Sequence, residues 1–83
     1  MRILYFAWVR QRVGHAEEDA ELPGNVATVG DLITWLKSRD EGYEAAFADL
    51  KAIRAAVDHE HVGFEHPLAG AREVAFFPPA TGG

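Results

Sequence analysis

Val74-Ala75-Phe76-Phe77-Pro78-Pro79-Ala80-Thr81-Gly82-Gly83 closes the 83-residue sequence. Its first four residues are apolar and read as the buried part of a final strand over 72–77, and the two prolines stop that strand. Proline has no amide hydrogen, fixes φ and pushes the preceding residue toward extended backbone, so Pro78-Pro79 is expected to lift the chain off its sheet as a short stiff spacer. This reading divides the chain into a folded body over 1–77 and an extended tail over 78–83. Glycine has no Cβ, so the wall of a narrow channel can close around Gly82, and the tail then presents Gly83 as a chemical handle. A bare diglycine is weak evidence, since chain ends commonly fray. A strand, a rigid riser and a diglycine in succession are far more specific.

Outward from the tail, Phe64 and Leu68 are expected to seal the end of the sheet, with Pro67 at a bend. Ala52 to Val57 reads as another strand, and Asp58-His59-Glu60-His61-Val62 as the turn after it. His59 and His61 stand two apart, a spacing able to chelate a metal on one strand face, but two imidazoles without cysteine make a weak site. Tyr43, Phe47 and Leu50 fall at helical spacing and predict a second short helix over 43–50 with its aromatic side inward. The main helix opens at Thr28, three residues before Asp31 in a capping-box pattern. Val29, Leu32, Ile33 and Leu36 then form one apolar stripe, and the helix is expected to run to about 38–40. Trp35 falls off the stripe, either as a flank of the core or as an exposed aromatic at a contact surface, with the flank favoured. Pro23-Gly24-Asn25 is turn chemistry. Residues 16–22 alternate as a half-buried strand, with Glu17, Asp19 and Glu21 on the outer side and Glu18 sharing the inner side with Ala16, Ala20 and Leu22. Arg2 to Val9 is almost uninterrupted apolar and predicts a central strand, hairpin-paired with 16–22 and followed by a turn at Arg10–Gly14.

Strand, strand, helix, short helix, strand, strand is an α+β order. The length suits one small domain, and 48% hydrophobic residues favour a globular fold. With no cysteine, disulfides, thiolate metal sites and cysteine nucleophiles are excluded. A net charge of −5 argues against nucleic-acid binding, which rests on Lys and Arg. No apolar run is long enough to span a membrane and no secretory signal opens the chain, so the cytoplasm is the expected compartment. No triad, carboxylate cleft, phosphate loop or metal-ligand set emerges, which leaves the α-carboxylate of Gly83 as the reactive group.

Glu73-Val74-Ala75-Phe76-Phe77-Pro78-Pro79, followed after one residue by Thr81-Gly82-Gly83, resembles the small, sulfur-carrier subunits of molybdopterin synthase. Leu4-Tyr5-Phe6-Ala7-Trp8-Val9-Arg10 and Phe64-Glu65-His66-Pro67-Leu68 extend the likeness through most of the chain. The resemblance implies a ubiquitin-like β-grasp fold: a mixed sheet of four to five strands, first and last parallel and adjacent, packed on one main helix plus a short helix. It implies a sulfur carrier rather than an enzyme acting with its own side chains. On this resemblance Gly83 is expected to be adenylated at the expense of ATP by a ubiquitin-activating-type enzyme, converted to a thiocarboxylate, and inserted into the large subunit, where sulfur passes to a pterin precursor. No cofactor or metal is implied in the carrier itself, and neither nucleic acid nor membrane is a partner. Gly82, Thr81, Ala80, Pro79 and Pro78 form the threaded segment, and Phe76, Phe77 and Arg10 are interface candidates, one of the two phenylalanines entering the core.

The sequence departs from the usual pattern at Ala69-Gly70-Ala71-Arg72, at Asp58 in place of asparagine, and at Ala80 in place of valine. Alternatives are a carrier for thiamine or tRNA thiolation, a ubiquitin-like protein modifier, and a β-grasp interaction module with an inert tail.

Overall fold

The computed structural model describes residues 1–79; the expectations for Ala80, Thr81, Gly82 and Gly83 lie outside the described residues. In chain order the elements are β1 (Arg2–Tyr5), α1 (Ala7–Val13), β2 (Glu17–Asp19), α2 (Val29–Lys37), α3 (Glu41–Ala46), a 3-10 turn (Leu50–Ala52), β3 (Arg54–Val57), β4 (Glu60–Val62) and β5 (Glu73–Phe77). The strands form one mixed sheet in the order β2-β1-β5-β3-β4. β5 is central, parallel to β1 and antiparallel to β3. First and last strands are therefore parallel neighbours, joined by a crossover that lays the helices on one face of the sheet, and the α+β class stands.

β1 ends four residues before its apolar run does. Tyr5 and Phe6 make the last bonds of that segment, Tyr5 N–H to the Ala16 carbonyl at 2.8 Å and Phe6 N–H to the Phe76 carbonyl at 3.1 Å. Ala7 then takes a left-handed φ of 53° and the chain turns into α1. Val9 and Val13, four apart, are both buried, as one face of a helix requires. Gly14, at φ 100°, donates to the Arg10 carbonyl at 2.8 Å and ends the helix in the usual left-handed cap. The expected turn at Arg10–Gly14 is thus the last turn of a third helix. β1 and β2 do pair antiparallel, Ile3 opposite Glu18, but a helix joins them rather than a tight hairpin.

The capping box of α2 is present: Asp31 N–H donates to Thr28 Oγ1 and Thr28 N–H to Asp31 Oδ2, both at 3.1 Å. The backbone donors Ala27 and Thr28 also hold the Asp31 carboxyl below its ordinary range. Val29, Leu32, Ile33 and Leu36 are all buried, as the stripe predicted. The helix stops at Lys37, just short of the expected end. Gly30 serves close packing, since its N–H donates to the Phe64 carbonyl at 2.7 Å and a Cβ there would stand 3.3 Å from the same oxygen. Trp35 is a partly buried flank, with the Arg39 guanidinium 4.9 Å from its ring centroid.

α3 starts earlier than the Tyr43–Leu50 spacing implies, because Asp40 caps it by accepting from Gly42 N–H. Tyr43 and Phe47 are buried, but Leu50 lies in the 3-10 turn and is 41% exposed. The larger correction is β4. Residues 58–62 hold a two-residue turn, with Asp58 at φ 48° and His59 at φ 72°, and a return strand that pairs Ala56 with His61. Hairpin turns of this hand favour Asn-Gly, so Asp-His conceals the hairpin from a sequence reading.

Candidate functional site

Side chains alternate along β5, and the alternation separates the two neighbouring phenylalanines. Val74 and Phe76 point to the helix-covered face, and Phe76 is 0% exposed. Its ring meets Phe47 edge-on at 4.9 Å and stacks on Tyr5 at 6.3 Å. Phe76 is therefore core and is not available to a partner. Glu73, Ala75 and Phe77 point to the opposite face, which no helix among the described residues covers.

The strand register fills that open face. Leu4 of β1 lies beside Ala75 of β5, Ala75 beside Ala56 of β3, and Ala56 beside His61 of β4. Together with Phe6, His59, Glu73 and Phe77 they line a depression of about 320 Å³. Ala56 and Ala75 make a low floor; Phe6, 49% exposed, and Phe77 stand at its edge. A small-residue floor with aromatic walls fits an apolar side chain from another protein. β5 runs directly from this floor into Pro78 and Pro79, which lie outside the ladder at the edge of the depression.

Of the sequence-derived contact candidates, Phe77 is on this face, Phe76 is beneath it, and Arg10 is exposed on α1 and does not line the depression, although its N–H donates to the carbonyl of the lining residue Phe6 at 3.3 Å. The sequence reading missed Leu4, Phe6, Ala56 and Ala75, whose common face is set by pairing register. His59 and His61 reach the site as its rim: the His61 ring lies 5.0 Å from that of Phe77, and His59 Nε2 lies 3.7 Å from Glu73 Oε2. Among the described residues, no group of three or more His, Cys, Asp or Glu side chains could hold a metal ion. No described helix is long and apolar enough to cross a membrane.

Residues 3–83 match the family described as ThiS family. The chain belongs to that family. Within it, the molybdopterin synthase sulfur carrier subunit of Escherichia coli is 39% identical over 83 residues, covering 100% of this chain and 99% of the relative. The protein of the same name from Mycosarcoma maydis is 34% identical, with 100% and 92% covered. Among solved structures, a molybdopterin converting factor subunit 1 from Pyrococcus furiosus superposes with a TM-score of 0.73 at 33% identity, covering 95% of each chain. Small archaeal modifier protein 1 from Haloferax volcanii gives 0.76 at 25% identity, covering 96% and 97%. The resemblance read from the tail, and the ubiquitin-like β-grasp fold it implied, are both borne out.

In this ThiS-family chain the helix-covered side of the sheet carries a second cluster, centred on Glu18. Its carboxylate accepts from Tyr5 Oη at 2.9 Å, from Arg39 Nη1 at 2.8 Å and from Tyr43 Oη, with His15 Nε2 at 2.9 Å. Burial pushes this carboxyl up, but the bonds from Tyr43, His15, Arg39 and Tyr5 outweigh it and bring the pKa down to about 2. Burial, and then Glu18, raise Tyr43 to about 12 and push Tyr5 well above the usual phenol range. Both hydroxyls therefore remain donors at neutral pH. With every oxygen of Glu18 engaged internally, the cluster fastens β1, β2 and α3 together and offers nothing to a substrate.

Proposed function

We propose that this chain is the sulfur carrier of molybdopterin synthase, with the carboxylate of Gly83 as the reactive group. A carboxylate is a poor electrophile, because resonance and negative charge repel nucleophiles. Attack of Gly83 on the α-phosphate of ATP, in the site of an activating enzyme, expels pyrophosphate and leaves an acyl adenylate. A persulfide sulfur then attacks the carbonyl and AMP departs; cleavage of the sulfur–sulfur bond by a thiol releases the thiocarboxylate. Gly82, Thr81, Ala80, Pro79 and Pro78 thread into the large subunit, which supplies the active site, and the open sheet face around Phe77 docks there. The carrier itself needs no bound cofactor, and its setting is the cytoplasm.

The observation that carries this reading is 39% identity, over the whole of this chain, to a named sulfur carrier, with the family match running through Gly83. An apolar open face whose central strand β5 runs straight on to Pro78 and Pro79 supports it. Deleting Gly83 tests it: sulfur transfer to the pterin precursor is abolished, while affinity for the large subunit stays near that of the intact chain. Retained transfer would make the tail inert and the protein a plain interaction module.

The likeness to the Haloferax modifier favours one second reading, in which activated Gly83 is transferred to a lysine amine instead of to sulfur. Amide-linked conjugates after incubation with the activating enzyme, ATP and cellular protein, without a sulfur source, distinguish the two.

A further inference from the structure

The open face is apolar at its floor, yet one side of its rim is made of imidazoles. His61 sits opposite Ala56 on β4 with its ring 5.0 Å from Phe77 at a 47° tilt, so any partner seated on Phe77 also covers His61. The charged and titratable groups around it come from every neighbouring strand. On β3, Arg54 turns its guanidinium aside, donating to the Lys51 and Ile53 carbonyls at 3.1 and 3.0 Å. On β5, the Glu73 carboxylate lies 3.7 Å from His59, not against His61. At the hairpin turn, the Asp58 carboxylate is engaged by the Arg72 and Glu73 amides, each at 3.0 Å. On β4 itself, Glu60 sits on the alternate face from His61. On β1, Arg2 is paired with Glu17 of β2. Among the described residues, His59 thus has a carboxylate within ion-pair reach and His61 has none.

We infer that docking on this face is linked to the protonation of His61: the complex forms with the neutral imidazole, and His61 sets a pH threshold for assembly of the carrier with the large subunit. The inference rests on the reading that the open face docks that subunit. Covering a charged imidazole strips its water, and the single face of Phe77 does not replace a hydration shell. A neutral imidazole packed on Phe77 behaves as part of the apolar wall. His59 is distinguished by Glu73, which offers a counter-charge whether or not a partner is present.

Imidazole changes charge within about pH 5 to 8, so a complex that admits only the neutral form loses roughly tenfold in affinity between about one pH unit above the midpoint and one below it. The test is calorimetric titration of the full chain with the large subunit of molybdopterin synthase from the same organism, at about pH 7.5 and 5.5. It uses the native protein, His61→Leu and His59→Leu. His61→Leu is expected to bind with nearly equal affinity at both values, whereas native protein and His59→Leu weaken about tenfold at the lower one. Because the large subunit's own titration is common to all three, a native profile parallel to that of His61→Leu overturns the inference, as does native binding that tightens on acidification. Absence of binding by every form at both pH values instead overturns the docking reading, and the proton linkage with it.

Discussion

Asp58 and Glu73 hold each other by two backbone-directed hydrogen bonds: Glu73 N–H donates to Asp58 Oδ1, and Asp58 N–H donates to the Glu73 carbonyl, both at 3.0 Å. The same Asp58 oxygen also accepts from Arg72 N–H at 3.0 Å. This bracket fixes the β3–β4 hairpin to the root of β5, and so sets where His59 and His61 stand relative to Phe77.

Asp58→Ala removes the acceptor of two amides and leaves an alanine at φ 48°, a conformation that Asp and Asn tolerate better. The expected loss is about 2 kcal/mol of stability. Asp58→Asn keeps the oxygen acceptor and should stay within about 1 kcal/mol of native, read as midpoint shifts in urea unfolding at unchanged slope.

Adjacent residues on β5 should give opposite outcomes. Phe76 is fully buried between Phe47 and Tyr5, so Phe76→Ala is expected to cost about 3–5 kcal/mol, enough to unfold much of so small a protein. Phe77 lies on the open face, and Phe77→Ala should leave the unfolding midpoint nearly unchanged while weakening large-subunit binding by at least about tenfold. Thermal unfolding and binding measured on both variants check the pair. Loss of fold in Phe77→Ala would show that the open face is part of the core.

Glu18 makes acid stability measurable at one residue. Its folded pKa of about 2 lies below the ordinary 4.5, so its contribution is fully present above about pH 4.5 and is lost as pH falls toward 2. Glu18→Gln, which cannot accept from four donors as a carboxylate does, should cost about 2 kcal/mol at neutral pH. Its stability should also fall less steeply than that of native protein between pH 4.5 and 2. Parallel acid profiles for the two would remove Glu18 as the cause.

Much of this architecture can be read from residue pattern. The stripe of Val29, Leu32, Ile33 and Leu36 with the Thr28–Asp31 box defines α2, and Val74–Phe77 before two prolines defines β5. What escapes is whatever depends on pairing or on left-handed backbone. Residues 2–9 are apolar enough to be strand or helix, and only the turn at Ala7 decides where one becomes the other. Asp58-His59 adopts a hairpin turn without the glycine that would signal it, which hides β4 and places His61 on a face instead of in a loop. Glu18 reads as one of three successive acids in Glu17-Glu18-Asp19; its four donors come from residues as distant in sequence as Tyr5, Arg39 and Tyr43. The apolar floor is invisible for the same reason, since Leu4, Ala56 and Ala75 meet only through register.

The central claim is that Gly83 bears the transferred sulfur, and intact-mass spectrometry tests it most directly. After incubation with its activating enzyme, ATP and a sulfur donor, the full chain should gain the mass that separates sulfur from oxygen, and the gain should map to the peptide ending at Gly83. An unchanged mass, with the same enzyme demonstrably charging an authentic carrier in parallel, would contradict the account.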